Sequence, residues 1–173
     1  YTAFTYYLGF RVNSAEYKVM GLAPYGKPTY LDQIRQIAAL REDGSFWLDL
    51  KYFNFHSGLT MTNGAFDRLF GGPPRPGEEK LSQRHFDLAA SVQELLETMV
   101  LASVRRMLER APARRLGLSG GVFANVRLNR RLAAETYVGT RPLRRLASGA
   151  LSLGGGGRVA DWLVEMLRLP GDD

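Results

Sequence analysis

Apolar residues along the chain recur at two spacings, and these predict a mixture of helices and strands. The helical spacing is clearest from Ser82 to about Arg110, and Pro112 ends that helix. The apolar stripe of this helix is formed by Leu88, Val92, Leu95, Leu96, Met99 and Met107. The sequence therefore predicts one long amphipathic helix in the middle of the chain.

Shorter helices are predicted on either side of this long one. Asn13 or Ser14 can cap a helix that ends at Met20, with Glu16 in its first turn. The stretch "TYLDQIRQIAAL" and residues 122–134 also have helical spacing. From residue 136 to 158 this periodicity is lost, and "RVADWLVEMLRL" then predicts a last amphipathic helix.

The strand signals are shorter. Tyr1 to Val12 alternates aromatic with small residues and predicts a strand or a strand end. In "REDGSFWLDLKYFNFHSG" the Asp43-Gly44 pair predicts a turn within a β-rich segment. Leu116 to Leu118 predicts a short strand, whereas "LFGGPPRPGEE" predicts a rigid loop. The chain is thus expected to be α/β.

Composition indicates a globular protein. Of the 173 residues 45% are hydrophobic, and none is cysteine, which excludes a disulfide framework and thiolate chemistry. There is no apolar run of membrane-spanning length and no signal-peptide pattern, so we expect a cytoplasmic protein without membrane contact. Because the chain begins inside an apolar aromatic stretch, we also expect it to be part of a longer protein.

Positive charge is concentrated in the second half of the chain. Residues 105–158 hold 12 Lys and Arg against 2 Asp and Glu. Such a segment can bind nucleic acid or phosphorylated ligands, or it can be a solvated helix face. Since no nucleic-acid motif accompanies the charge, we do not expect a nucleic-acid partner.

Two glycine-rich turns are candidates for ligand binding. In "LGLSGGVFANVRLN" a predicted strand meets Gly120 and Gly121 before a helix, which allows a ligand to approach backbone N–H groups at a helix start. Asn125 is expected about one turn into that helix. Close packing between strand and helix would explain the paired glycines equally well.

The other turn is "GLAPYG", which ends at Gly26. Lys18 on the preceding helix can bind phosphate or be solvated, and solvation is the commoner case. Tyr17 and Tyr25 can stack on a base or pack in the core, and we expect core packing. If both turns face one cleft, they would hold one nucleotide.

Four segments of the chain resemble one enzyme family. These segments are "AFTYYLGFRVNSAEYKVMGLAPYGKP", "DGSFWLDLKYFNFH", "FDRLFGGPPRPGEEKLSQRHFDLAASVQELLE" and "LGLSGGVFANVRLNRRL". They resemble, in order, the O-carbamoyltransferases of the nodulation protein U and antibiotic carbamoyltransferase type. The resemblance covers about residues 1–134, leaving 135–158 as a divergent Gly/Arg-rich segment and 159–173 as a C-terminal helix of the same domain.

The resemblance implies part of an actin-like ATPase (ASKHA, ribonuclease H-like) domain with a mixed sheet and packed helices. It also implies that carbamoyl phosphate and ATP form carbamoyl-adenylate, whose carbamoyl group passes to a hydroxyl of a sugar or natural-product acceptor. The expected partners are that small-molecule acceptor and the missing N- and C-terminal parts of the same protein. The related tRNA threonylcarbamoyladenosine-forming enzymes imply the nucleotide-binding positions Glu16, Lys18, Gly26, Gly120, Gly121 and Asn125.

The full-length family is expected to hold a divalent metal, iron or magnesium, but its ligands are absent from this sequence. His56 and His85 are expected to be surface or packing residues. Ser148 stands roughly where the family has a metal-binding aspartate, and residues 136–158 suggest a frame slip in the gene. Two alternatives stay open: an enzyme that modifies tRNA, and an inactive nucleotide-binding remnant.

Overall fold

The computed structural model describes residues 1–113 and 116–136, and the chain divides into two compact units, residues 1–99 and 100–173. The regular elements are α1 (Thr2–Tyr7), α2 (Glu16–Leu22), α3 (Leu31–Ile37), β1 (Ala38–Leu40), β2 (Phe46–Leu48), α4 (Gly64–Phe70), α5 (Gln83–Arg110) and α6 (Val126–Glu135). Short 3₁₀ helices cover Ala23–Tyr25, Leu50–Tyr52 and Gly121–Ala124. The described residues are thus mostly helical, with one small sheet.

The first segment is a helix, so the strand predicted for residues 1–12 is wrong. Phe4, Tyr7 and Leu8 are buried, which is the i, i+3, i+4 spacing of a helical face. The rings of Phe4 and Tyr7 meet Phe66 of α4 edge to face, at centroid distances of 5.2 and 4.9 Å. This aromatic packing outweighs the strand preference of the segment's Thr, Tyr and Phe residues.

The predicted turn at Asp43-Gly44 is confirmed. It joins β1 and β2 as an antiparallel pair, with Ala38 opposite Leu48 and Leu40 opposite Phe46. All three residues of β2 are exposed, so the alternation in this segment does not mark a buried face. The mixed sheet expected from the resemblance is represented, in the described residues, only by this two-stranded hairpin.

The long helix is also confirmed: α5 begins one residue after the predicted start and ends at Arg110. In the first unit its stripe residues Leu88 and Val92 are buried, whereas Met107 in the second unit is 45% exposed. Met107 is therefore wrongly assigned to the apolar stripe. The predicted C-terminal helix over residues 158–169 lies outside the described residues.

The predicted rigid loop, "LFGGPPRPGEE", is organised by a buried arginine. Arg75 is 7% exposed, and its Nε donates to the Leu8 carbonyl oxygen at 2.7 Å. Its Nη1 donates to the carbonyls of Gly77, at 3.1 Å, and Glu79. These bonds compensate the burial of the charged group and hold residues 71–79, which form no helix or strand; Leu69 and Phe70, predicted as part of the loop, end α4 instead.

Candidate functional site

The turn at Gly120 and Gly121 has a defined geometry within the second unit. Gly120 has φ +102° and ψ 166°, a conformation that is almost restricted to glycine. A 3₁₀ helix, Gly121–Ala124, follows directly, and the Phe123 N–H donates to the Gly120 carbonyl at 3.1 Å. Of the sequence before the turn, Leu116 and Leu118 are buried, but no strand is assigned there. The strand predicted at 116–118 is therefore not found. Buried and exposed side chains alternate there, as in a strand, but the segment is not hydrogen-bonded into a sheet among the described residues.

The apolar spacing predicted Asn125 about one turn inside a helix, and this prediction is wrong. The segment from residue 122 to 134 is divided into the 3₁₀ turn and α6, and Asn125 is the N-cap of α6 with extended φ and ψ of −77° and 98°. Its Oδ1 accepts the Leu128 N–H at 3.0 Å. Asparagine is a preferred N-cap because this bond satisfies an amide that the first helical turn leaves without a partner.

Nothing in the described part of the chain packs against the two glycines. Apart from the adjacent residues and the backbone of its own 3₁₀ helix, a Cβ built on Gly120 or on Gly121 would meet no described atom within 4 Å. Among the described residues, the close packing between strand and helix that would explain paired glycines is therefore absent at this turn. Gly120 is required by its backbone conformation, whereas Gly121 has neither a positive φ nor a near neighbour.

The first glycine turn lies in the other unit and follows α2. Neither Asn13 nor Ser14 caps α2 through its side chain, and the N-cap is Ala15. Instead Glu16 Oε1 accepts the Asn13 N–H at 2.8 Å, an arrangement made possible by the left-handed φ of 60° at Asn13. The Glu16 carboxylate thereby orders the entry into α2.

Lys18 is exposed on α2, and its Nζ lies 5.7 Å from the centroid of the Phe10 ring. Tyr17 and Tyr25 are 63% and 71% exposed, so the expectation that they pack in the core is wrong. Tyr17 lies on α2, and the Tyr25 ring has its centroid 6.1 Å from that of Phe86. The exposed lysine and tyrosines are thus available to a ligand.

Gly26 packs directly on the backbone of α5. A Cβ at Gly26 would lie 2.0 Å from the Phe86 carbonyl oxygen and 2.6 Å from the Asp87 nitrogen. Asp87 Oδ1 accepts the Lys27 N–H at 2.8 Å, and Ser91 Oγ accepts the Tyr30 N–H at 3.0 Å. The residue must therefore be glycine for the turn to reach the helix.

Asp87 and Ser91 were not identified as important from the sequence. They lie four residues apart in "DLAAS", so they share one face of α5, and Ser91 is fully buried. Ser91 Oγ also donates to the Asp87 carbonyl at 2.6 Å, and Gln83 Nε2 donates to Asp87 Oδ1 at 2.8 Å. A pair of polar residues at i and i+4 beside an apolar stripe was the signal available in the sequence.

His85 begins α5 in a capping arrangement. Its Nδ1 accepts the Ser82 N–H at 2.9 Å, in the place that Glu or Gln takes in a capping box. Burial, and then the charges of Arg84 and Arg75, lower the pKa of His85 below its usual range. The ring is therefore neutral, and its 5% exposure agrees with the expectation of a packing residue. His56 is exposed, as a surface residue is.

The described residues contain no cluster of three His, Cys, Asp or Glu side chains placed to hold a metal ion. None of the helices in that part of the chain has the length and apolar character needed to cross a bilayer.

The prediction that the turns at Gly26 and Gly121 form opposite walls of one nucleotide pocket stays a prediction, as do the six assigned positions.

Comparison with known proteins identifies the family. Residues 1–139 match the family model described as "Carbamoyltransferase N-terminus". The chain is 50% identical over 136 residues to the Synechocystis protein sll1178, covering 78% of this chain and 22% of that protein. It is 38% identical over 127 residues to the nodulation protein NolNO of Sinorhizobium fredii, covering 73% of this chain and 17% of that protein.

A more distant match is the tRNA N6-adenosine threonylcarbamoyltransferase of Streptococcus sanguinis, at 32% identity over 124 residues, covering 68% of this chain and 34% of that protein. The chain thus spans between about a sixth and a third of the length of these relatives. The resemblance found in the sequence is confirmed. The chain belongs to the carbamoyltransferase N-terminus family.

Proposed function

We propose that the chain provides the nucleotide-binding turn of an ATP-dependent O-carbamoyltransferase with an actin-like α/β domain. In the proposed reaction, carbamoyl phosphate and ATP form carbamoyl-adenylate, and the carbamoyl group then passes to a hydroxyl of a small-molecule acceptor. Support comes from the family match and from the similarity to nodulation proteins.

The observation that carries the proposal is the bare backbone at Gly121. This residue is exposed, its φ is one that any residue adopts, and no described atom lies within 4 Å of its would-be Cβ. Neither strain nor packing among the described residues explains why the position is glycine. Close approach of a ligand to the backbone would explain it, and Gly121, unlike the equally bare Gly117, lies in the turn that leads into α6.

The local electrostatics favour an anionic ligand at this turn. The first N–H groups of a helix have no carbonyl partner within the helix, and the start of a helix carries a partial positive charge of about half an elementary charge. Asn125 fixes where α6 begins, and Gly121 and Val122 are exposed just before it. In this proposal a nucleotide phosphate meets the Gly121 N–H, where no side chain intervenes.

The remaining assignments belong to the same proposal. Lys18 would attract a phosphate, Glu16 would accept ribose hydroxyls, and Gly26 would allow the turn of α2 to approach the nucleotide. Because the described residues offer no set of metal ligands, no step is assigned to a metal here. The part of Glu16, Lys18 and Gly26 in carbamoyl transfer would be to bind and orient the nucleotide.

The test compares alanine at two glycines of the same segment. Gly117 and Gly121 are both exposed, neither has a positive φ, and neither has a neighbour within 4 Å of its would-be Cβ. We expect both Gly117→Ala and Gly121→Ala to keep the wild-type melting temperature without ligand. Only Gly121→Ala should weaken ATP binding, by at least about tenfold, because its methyl group stands where the ligand approaches.

The readout is thermal stabilisation by ATP, which reaches about 2.7 kcal/mol at a hundred times the dissociation constant. Equal ATP affinity in the wild-type protein and the Gly121→Ala variant would contradict the proposal. Absence of any ATP-dependent shift in the wild-type protein would instead favour an inactive remnant.

A second candidate function is the modification of tRNA. It is favoured by the match to a tRNA N6-adenosine threonylcarbamoyltransferase and by the basic residues of 105–158. Binding to tRNA should then weaken steeply with salt, because each neutralised phosphate releases counterions. Absence of tRNA binding at low salt would reject this alternative.

A further inference from the structure

The break between the 3₁₀ turn and α6 leaves one carbonyl in need of a donor. In a continuous helix the Phe123 oxygen would accept the N–H four residues later, but the extended conformation of Asn125 interrupts that pattern. The donor is instead a side chain: Asn129 Nδ2 lies 2.7 Å from the Phe123 oxygen. Asn129 is 1% exposed and lies one turn beyond the N-cap.

The other half of this amide has no partner. Asn129 Oδ1 is buried and accepts no hydrogen bond from any described residue. A half-satisfied buried amide costs free energy; leucine, which occupies the neighbouring buried positions 128 and 132, would avoid that cost but would leave the Phe123 carbonyl without its donor. The bond to the Phe123 carbonyl is therefore what accounts for an amide at this buried position.

The imposed conformation is that of the glycine turn. Phe123 lies in the 3₁₀ helix Gly121–Ala124. Its N–H already donates to the Gly120 carbonyl. The two bonds hold Phe123 from both sides, one from the start of the turn and one from α6. Breaking the Asn129 bond would remove the tie to α6 and leave the turn held by its own bonds, the Phe123 N–H to Gly120 and the Asn125 N–H to Val122, at 3.1 and 3.2 Å.

We infer that Asn129 is the positioning residue of this turn: its amide fixes the Phe123 carbonyl and thereby aims the Gly121 and Val122 N–H groups. This role rests on the proposed function in so far as those N–H groups bind a nucleotide. It does not require Asn129 to touch the ligand. The side chain acts through the backbone of the turn.

The test uses the full chain with three substitutions. Asn129→Leu removes the donor while keeping similar volume, and Asn129→Asp removes it only when the carboxyl is ionised. Leu132→Ala is the matched control, because Leu132 is 1% exposed on the same helix but has no bond to the turn. The measurements are hydrogen exchange of the amides of residues 121–125 without ligand, and the dissociation constant for ATP by equilibrium dialysis of folded protein.

We expect Asn129→Leu to speed exchange at the turn and to weaken ATP binding, each by about tenfold, the usual effect of losing one buried hydrogen bond. Asn129→Asp should lose at least as much affinity as Asn129→Leu at a pH where the carboxyl is ionised and regain affinity as the pH falls, since only the neutral acid donates to the Phe123 carbonyl. Burial raises the pKa of such a carboxyl, so the recovery should begin above its usual range. Leu132→Ala should lower stability without either effect.

The two measurements separate the two claims. Unchanged exchange in Asn129→Leu would overturn the positioning role whatever the ATP result. Faster exchange with unchanged ATP affinity would overturn the link between Asn129 and binding. If the wild-type protein binds no ATP, the proposed function fails, and the exchange data alone then decide whether Asn129 fixes the turn.

Discussion

Replacing Gly26 by alanine tests why this position is glycine. The new methyl carbon would lie 2.0 Å from the Phe86 oxygen and 2.2 Å from its carbonyl carbon, whereas real Cβ contacts are essentially never shorter than 3.0 Å. Both obstructing atoms belong to the backbone of α5, which cannot rotate away as a side chain can. The turn must therefore withdraw from the helix by about 1 Å.

Such a withdrawal would break the bonds that dock the turn. The Lys27 N–H bond to Asp87 and the Tyr30 N–H bond to Ser91, now 2.8 and 3.0 Å, would lengthen beyond hydrogen-bonding distance. Each is worth about 1 kcal/mol, and overpacking adds about 1–3 kcal/mol. We expect Gly26→Ala to lower the free energy of unfolding by about 3–5 kcal/mol, a large part of the 5–15 kcal/mol typical of a domain.

The matched control is Gly21→Ala in α2. Gly21 is exposed, helical and without a neighbour within 4 Å, so alanine should raise the free energy of unfolding by about 0.5–1 kcal/mol. Both variants are measured without nucleotide, by urea denaturation followed by circular dichroism. If Gly26→Ala unfolds within about 0.5 kcal/mol of the wild-type protein, the packing argument is refuted, and ligand approach becomes the better explanation of this glycine.

Three further changes test other contacts. His85→Gln keeps an acceptor for the Ser82 N–H but cannot titrate. Because the pKa of His85 is lowered in the folded protein, the free energy of unfolding of the wild-type protein should fall as the pH drops below about 6.5. Unfolding midpoints measured at pH 7.5 and 5.5 should therefore fall less in the variant than in the wild-type protein. Phe66→Ala should cost about 3–5 kcal/mol in urea denaturation, because the ring is fully buried, whereas Leu59→Ala at an exposed position should cost less than about 0.5 kcal/mol; similar losses would contradict the assigned core. Asn125→Ala should cost about 1 kcal/mol and speed hydrogen exchange at the start of α6, and an unchanged exchange rate would show that the cap is dispensable.

The sequence predicts best where one pattern extends over many residues. The 28 residues of α5 repeat their apolar stripe often enough to fix both the type and the bounds of the element. The segment from residue 1 to 12 is too short for such a decision. Its conformation depends on contacts with α4, about 60 residues later, which no local preference contains.

The candidate site shows the same division. The glycine turn before α6 could be predicted, because glycines interrupt an apolar pattern there. The position of Asn125 could not, because the apolar spacing continues across the break, and only the hydrogen bond to Leu128 marks the N-cap. In the sequence, Asn129 is one polar residue among several on an arginine-rich helix. Its role depends on the Phe123 carbonyl, which has no helical donor because the helix is interrupted at Asn125.

The two glycine turns carry different weight as evidence for function. Gly26 is required by the fold itself, because α5 occupies the space that a side chain would need. A protein that had lost all catalytic activity would still need glycine there as long as it folded. Gly120 is required by its backbone conformation, so the same holds for it. Of the three glycines assigned to the nucleotide, only Gly121 has no such reason among the described residues. Beside the family match, the structural case for a nucleotide therefore depends on one position of the turn, Gly121, and not on the number of glycines in the two turns.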